Sequence, residues 1–473
     1  MLGVWTSGGT PKSTEADYYD GDIPWFRITD LNEGRLSAAS RTLTERGLQE
    51  SSAKIVPSPF LMFAMYGASI GKMALSAIDA ATNQAIACCK PRDVVVIEYL
   101  FWALQRVKKS IVALGQGGAQ PNISQHILLE QSIPLAPLRE QQRIVARIDA
   151  LFAEIAEGDA ALATARKGLE TFRRALLKAA VSGELTEDWR EANLPSETGA
   201  DTLARLRARY PNSSPTRNGW APSAKLSDLP STWTWCAVEE AGEVQLGRQR
   251  APQHHDGNNM RPYLRVANVH EDRLDLTDVK CMNFTPAEFE TFALRPGDVL
   301  LNEGQAPDLL GRPALYRGEI PDCCFQKTLL RFRAKDGVIP QYALLVFRHY
   351  MRSGRFKRES RITTNIGHLT QVRFVVMEFP LPPTDEQRAI VDLVAEYEGA
   401  VIDVVDTVFQ AEATDAAKLK QSILKAAFEG RLAPQDPTDE PANAVLARMS
   451  ATNPIGRRAS RGSRKFNSRK ASS

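Results

Sequence analysis

One stretch occurs twice in this chain, and the repetition limits the available folds more than any other feature. Residues 133–148 read IPLAPLREQQRIVARI, and residues 379–394 read FPLPPTDEQRAIVDLV. Glu140-Gln141 recurs as Glu386-Gln387 and Ile144-Val145 as Ile390-Val391, 246 residues further on. The far ends match as well, with ALLKAAVSGEL at 175–185 and SILKAAFEGRL at 422–432. An internal repeat of this length implies two units of one design. Each is closed by one long segment.

Both segments carry a helical pattern. In the first, apolar residues fall at Ile144, Ile148, Leu151, Ile155, Leu162, Leu169, Phe172 and Leu176. With the small residues Gly158 and Ala165 included, the steps alternate between four and three, the spacing of a coiled-coil seam. The second offers Ile390, Val394, Tyr397, Val401, Val404 and Val408, with a one-residue slip before Leu419. Gly183 and Gly430 are the expected stops. A helix of this length spans about 65 Å at 1.5 Å per residue and cannot hide its seam alone. Each is the obvious antiparallel partner of the other.

The regions ahead of the helices repeat too. PWFRITD at 24–30 aligns with PYLRVAN at 262–268, and Pro121–Gln125 with Thr364–His368. Gly247 aligns with Gly9, so the opening LPSTWTW at 229–235 has no counterpart in the first copy, whose initial strand is expected to be missing. Ile23–Ile28 and Phe60–Met65 read as strands, and Ile97–Val112 as a helix. The fold class is therefore α+β: two similar globular domains separated by a pair of long antiparallel coiled-coil helices. The expected boundaries are a first domain 1–137, a helix 138–184, a connector 185–229, a second domain 230–383, a second helix 384–432 and a disordered basic tail 433–473. A short helix is expected at Leu203–Arg209 within the connector.

The chain has 473 residues and a net charge of only +3, so overall charge does not by itself mark a nucleic-acid binder. No apolar run reaches the ~18–20 residues of a membrane span. The six cysteines lack CxxC spacing, which points to a reducing cytoplasm and to no metal site. No phosphate-binding G-x-x-x-x-G-K-[ST] loop, Asn-Pro-Pro-aromatic tetrapeptide, HExxH or G-x-S-x-G occurs. The residues present no catalytic constellation.

Two divergent domains, each closed by a helix opening on Glu-Gln and ending LKAAxxGxL, resemble the specificity subunits of type I restriction–modification systems. SGGTPKS at 7–13 and GDIPWFRITDL at 21–31 add to the resemblance, which extends to about residue 432. It implies a non-catalytic subunit of a site-specific deoxyribonuclease and adenine-N6 methyltransferase complex. Its two target-recognition domains would each read half of a split duplex DNA sequence. Its helices would dock two methyltransferase subunits and two ATP-dependent restriction subunits. S-adenosylmethionine, ATP and magnesium would belong to those partners, and this chain would hold no cofactor. The residues themselves leave open a coiled-coil interaction scaffold without DNA recognition, and the resemblance also admits an inactive or truncated specificity subunit.

Contact with DNA requires cations for phosphates, and Arg, Asn or Gln for base edges. The densest candidate is Arg352, Arg355, Lys357, Arg358 and Arg361, running into Asn365. Its counterpart in the first domain is Lys108-Lys109 followed by Gln116, Gln120, Asn122 and Gln125. Arg248 and Arg250 form a further cluster that matches Lys12. Gln84 and Gln326-Lys327, each after a turn, complete the set.

Overall fold

The computed structural model describes residues 2–67, 69–115, 122–211, 226–363 and 366–451, and side chains throughout these except 361–363, 401–415 and 448–451. The chain forms two compact units, residues 1–161 with 410–473 and residues 162–409. Each unit combines one globular domain with the start of one long helix and the end of the other.

In the first unit the main sheet runs Gly3–Ser7, Ile86–Pro91, Phe60–Ala64, Met73–Ser76, Arg35–Leu36. In the second it runs Gly242–Leu246, Leu329–Ala334, Val299–Asn302, Pro313–Leu315. Phe60–Ala64 is a continuous apolar run because it lies in mid-sheet and is wholly buried. A smaller sheet accompanies each: Tyr19–Phe26 pairs antiparallel with Arg41–Leu43 and parallel with Ala81–Thr82. Met260–Leu264 does the same with Lys280–Asn283 and Cys324–Phe325. Strand register refines the repeat. Gly3 faces Pro91 as Gly242 faces Ala334, which equates Gly247 with Gly8 and not with Gly9.

The Glu-Gln opening joins each domain to its helix. Gln141 Oε1 accepts from Val96 N (2.8 Å), while its amide nitrogen donates to the carbonyls of Val94 (3.0 Å) and Ala136 (2.8 Å). Gln387 repeats the pattern with Ile339 N (2.7 Å), Gly337 O (2.9 Å) and Pro382 O (3.0 Å). Both glutamines are fully buried. Beside them Tyr99 donates to Pro134 O at 2.8 Å and Tyr342 to Pro380 O at 3.0 Å.

The first long helix is unbroken over Leu138–Ser182. Gly158 is tolerated inside it because nothing lies within 4 Å of where its Cβ would be. In the first unit Ile144 and Ile148 pack with Ile423, Leu424, Ala427 and Phe428, and Lys420 reaches back to Asp159 at 3.4 Å. In the second unit Leu176, Leu177, Ala180 and Val181 share a core with Ile390 and Val394. The helix ends therefore run antiparallel within each unit. Gly183 (φ +84°) and Gly430 (φ +71°) terminate them in the left-handed conformation.

Several expectations need correction. Phe172 is 37% exposed and Tyr397 44%. Near the domains the buried stripe widens to an ordinary amphipathic face, because the helix packs on a domain core as well as on a helix. Leu151, Ile155 and Leu162 are half-buried, while Leu169 is buried. Well ahead of the slip expected before Leu419, the second helix holds a π-helical turn at Glu398–Ile402, between Thr384–Tyr397 and Asp403–Phe428. An added residue in such a turn advances the face by one position. The side chains of Val401, Val404 and Val408 lie outside the described residues.

The connector is largely part of the second unit. A capping box of Thr198 and Asp201 starts its helix at Gly199, and Leu203 and Leu206 enter the core. Nor is the chain unstructured from residue 433. Ala433 is buried, Arg143 pairs with buried Asp439 at 2.6 Å, and Ala442–Ala451 is helical. The basic residues from Arg457 onward lie outside the described residues.

Candidate nucleic-acid interface

In each unit the loops at one end of the main sheet are laced by backbone hydrogen bonds in the same order. In the first, Gly9 N donates to Thr82 O (2.8 Å), Met65 N to Ala85 O (2.8 Å) and Ile123 N to Met65 O (2.7 Å). In the second, Arg248 N donates to Phe325 O (3.1 Å), Glu303 N to Thr328 O (2.9 Å) and Leu369 N to Glu303 O (2.8 Å). Antiparallel pairing explains the clustering. The strand before the first loop ends where the strand after the second begins, with Ser7 opposite Ala87.

On this shared frame the side chains differ. The first unit presents exposed Thr10, Lys12, Gln84 and Asn122, with the Thr10 hydroxyl bonded to the Gln84 carboxamide oxygen. The second presents exposed Gln249, Arg250 and Lys327, with half-buried Gln305, Gln326 and His368. Arg250 Nε donates to His255 Nε2 at 3.1 Å, and His368 lies 3.3 Å from Glu303. Amides and guanidinium groups on such an edge suit base edges, and the lysines suit phosphates.

The structure divides the candidates taken from the sequence. Lys12, Asn122, Gln125 and Arg250 fall on or beside the edge, with Gln125 opening the helix Gln125–Leu129. Lys109 is exposed on the domain helix, whereas Lys108 is held by Glu33 at 2.6 Å. Lys357 and Arg358 are exposed on Arg355–Glu359, Lys357 being paired with Asp308 at 2.8 Å. Gln116, Gln120, Asn365 and the side chain of Arg361 lie outside the described residues.

Three arginines are committed elsewhere. Arg248 is 7% exposed, bonded to Glu288 at 2.7–2.8 Å, and lies over the Phe284 ring. Arg352 grips both Glu271 oxygens (2.6 and 2.7 Å) and also bonds Glu170. Arg355, 5% exposed, makes a two-pronged pair with Glu378 (2.5 and 2.9 Å) and bonds Glu359 at 2.6 Å. Burial works against the Arg355 charge, and the bonds to Glu378 and Glu359 outweigh it. Arg348 joins this network through Glu398 and Glu271. The densest cationic run is thus mainly an ion-pair framework inside the second unit, pinning the domain to both helices. Apart from Glu359, its acids lie between 23 and 182 residues from the arginines they bind, which hid the pairing.

His349 sits in the same helix, its pKa pushed down to about 4 by burial and then by Lys178 and Arg358. An unfolded histidine titrates near ~6.5, so between about 6.5 and about 4 the unfolded chain binds a proton that the folded chain does not. Stability of the second unit should therefore fall as the pH drops through that window, by up to about 3 kcal/mol. Chemical denaturation at pH 7, 5.5 and 4.5 measures this, and His349→Gln should flatten the slope. An unchanged slope in that variant would assign the acid sensitivity to another group.

Among the described residues no group of three or more His, Cys, Asp or Glu is placed to hold a metal ion, and no helix is long and apolar enough to cross a membrane. Residues 3–162 match the family described as Type I restriction modification DNA specificity domain. The chain is 23% identical over 444 residues to the EcoKI type I restriction enzyme specificity subunit of Escherichia coli K12, covering 92% of this chain and 88% of that protein. It is 24% identical over 447 residues to the StySPI specificity subunit of Salmonella potsdam, with the same coverages of 92% and 88%. Among solved structures, a chain from a study of assembly and conformational transition of the type I R-M system aligns with TM-score 0.62 at 20% identity, over 91% of this chain and 98% of that one. The HsdS subunit of Thermoanaerobacter tengcongensis aligns with TM-score 0.50 at 21% identity, over 91% and 97%. At these identities the two structures bear on the fold alone.

Proposed function

We propose, on the premise that this chain belongs to the specificity subunits of type I restriction–modification systems, that it selects a bipartite duplex DNA target through the two four-loop edges. Each edge reads one half of the target. The helices dock two methyltransferase and two restriction subunits, which carry S-adenosylmethionine, ATP and magnesium, and the assembly works in the cytoplasm. This chain contributes recognition and no chemistry. The observation that carries the reading is the pairing of one backbone frame with two sets of polar side chains. A common scaffold with different amides and cations is what two different half-sites require.

The test is a titration of the methyltransferase–specificity complex with target duplex across salt concentrations. Arg250→Ala with Lys327→Ala should weaken binding at least tenfold. If both contact phosphate, the slope of log K against log salt should become shallower by about 1.8, at ~0.9 per phosphate released. Gln84→Ala with Asn122→Ala should instead relax the bases accepted in the other half-site, at ~1–3 kcal/mol per bidentate contact. Methylome sequencing reads that change directly. Unchanged affinity and unchanged methylated sites in both variants would remove these edges from the interface. An assembly that forms without any salt-sensitive binding to duplex DNA would leave a protein scaffold.

A further inference from the structure

The two arginines on the first loop of the second edge have opposite surroundings. Arg248 is 7% exposed, and Glu288 neutralises its charge. Two residues on, Arg250 is exposed, and among the described residues no carboxylate pairs with it. Its side chain meets the His255 imidazole instead, whose Nε2 accepts from Arg250 Nε at 3.1 Å. An imidazole that accepts at Nε2 is neutral and carries its proton on Nδ1. It fixes the guanidinium while leaving the charge and both terminal nitrogens unused.

The local sequence builds this contact. Pro252 holds the preceding Ala251 extended (φ −145°, ψ 155°). The turn Pro252–His254 then folds the loop back, with His254 N donating to Ala251 O (3.0 Å) and His255 N to Pro252 O (3.1 Å). The imidazole of His255 thereby returns to Arg250. The start of the loop is held on the frame, Arg248 N donating to Phe325 O (3.1 Å) and Lys327 N to Arg248 O (2.9 Å). The two units differ here. Gly242 faces Ala334 as Gly3 faces Pro91, so Arg250 falls on Pro11. Proline has no side-chain donor, and no arginine occurs at 8–13, 65–72, 82–86 or 115–125, the loops of the first edge.

We propose that Arg250 reads a guanine in the second half-site through its two terminal nitrogens, with His255 as the residue that positions it. The inference rests on the proposed reading of the edges and adds which cation meets a base. Two parallel N–H donors match the O6 and N7 acceptors that guanine presents in the major groove. A carboxylate in place of His255 would orient the fork as well, but it would neutralise the charge and compete for the donors. Lys327, a point charge without a fork, is left for phosphate. The loops of the first edge hold no arginine for such a contact.

The experiment uses the methyltransferase–specificity complex, its target sequence taken from methylome sequencing. One G·C pair should become degenerate in Arg250→Ala, in the half-site that Gln84→Ala with Asn122→Ala leaves unchanged. Placing 7-deazaguanine at that pair removes N7, and should weaken binding of the wild-type complex about fivefold or more. The Arg250→Ala complex should not respond to it. His255→Ala should lower the preference for guanine at the same pair, and His255→Gln, whose carboxamide oxygen can accept from Nε, should restore it. A 7-deazaguanine duplex bound as tightly as the parent would overturn the proposal with no change to the protein. Weaker binding of Arg250→Ala to every duplex alike, with the salt slope shallower by about 0.9, would make Arg250 a phosphate contact and overturn it too. Guanine preference unchanged in His255→Ala would remove the positioning role. A wild-type complex without salt-sensitive duplex binding would instead overturn the reading of the edges on which the inference rests.

Discussion

Arg355→Ala lowers the stability of the second unit by about 3–5 kcal/mol, the usual result of removing one member of a buried pair. The two side chains of the Arg355–Glu378 pair are each 6% exposed. Deleting the guanidinium strands the Glu378 carboxylate in a dry strand, and Glu359 loses a partner as well. Replacing the pair together, Arg355→Met with Glu378→Leu, should recover most of the loss, since the desolvation penalty then disappears with the charges. Urea denaturation followed by peptide-resolved hydrogen exchange separates the second unit from the first. DNA binding by the folded fraction should keep its salt dependence, because no phosphate contact has been removed. A shallower salt slope with unchanged stability would return Arg355 to the DNA interface.

The contrast between Arg355 and Arg250 shows what the sequence can reveal. A cluster of cations is visible in sequence, but its partners are not. Glu271 lies 81 residues from Arg352, and Glu170 lies 182 away. Such acids become neighbours only when the domain closes on the helices. Local signals fared better. Gly183 and Gly430 end their helices because a left-handed stop needs no tertiary context. Glu-Gln stood out because it occurs twice, though the three bonds made by each glutamine appear only in the fold. The seam was legible where helix meets helix, at Ile144 and Ile148, and failed at Phe172 and Tyr397. Tyr397 adjoins the π-turn Glu398–Ile402, which shifts the face, while Phe172 is exposed between buried Leu169 and Leu176. The recognition edge was half-visible: Lys12, Gln84 and Asn122 come from separate loops, and sheet register alone brings those loops together.

Gln141→Ala and Gln387→Ala should each cost about 3 kcal/mol or more, and each should act on its own unit. Gln141→Ala leaves one backbone N–H and two carbonyls without these bonds, and Gln387→Ala one N–H and the Pro382 carbonyl, since Gly337 O keeps the Thr384 hydroxyl at 3.1 Å, at ~1–3 kcal/mol for each buried group that water cannot reach. The two variants should then diverge. In the second unit the helix start remains tied through Glu386 to Trp233, Thr186 and Arg190. In the first unit Glu140 has no such ties among the described residues, so Gln141 is the main polar link between its helix start and its domain. Hydrogen exchange over 138–148 should therefore rise more in Gln141→Ala than exchange over 384–394 does in Gln387→Ala. Gln387→Glu should fall between wild type and alanine, because a carboxylate still accepts from Ile339 N–H but donates to neither carbonyl. Equal protection losses in the two alanine variants would mean that the Glu386 bonds add nothing to the hold of helix on domain. Protection unchanged in both would show that apolar packing at Ile144 and Ile390 holds the helix starts without the glutamines.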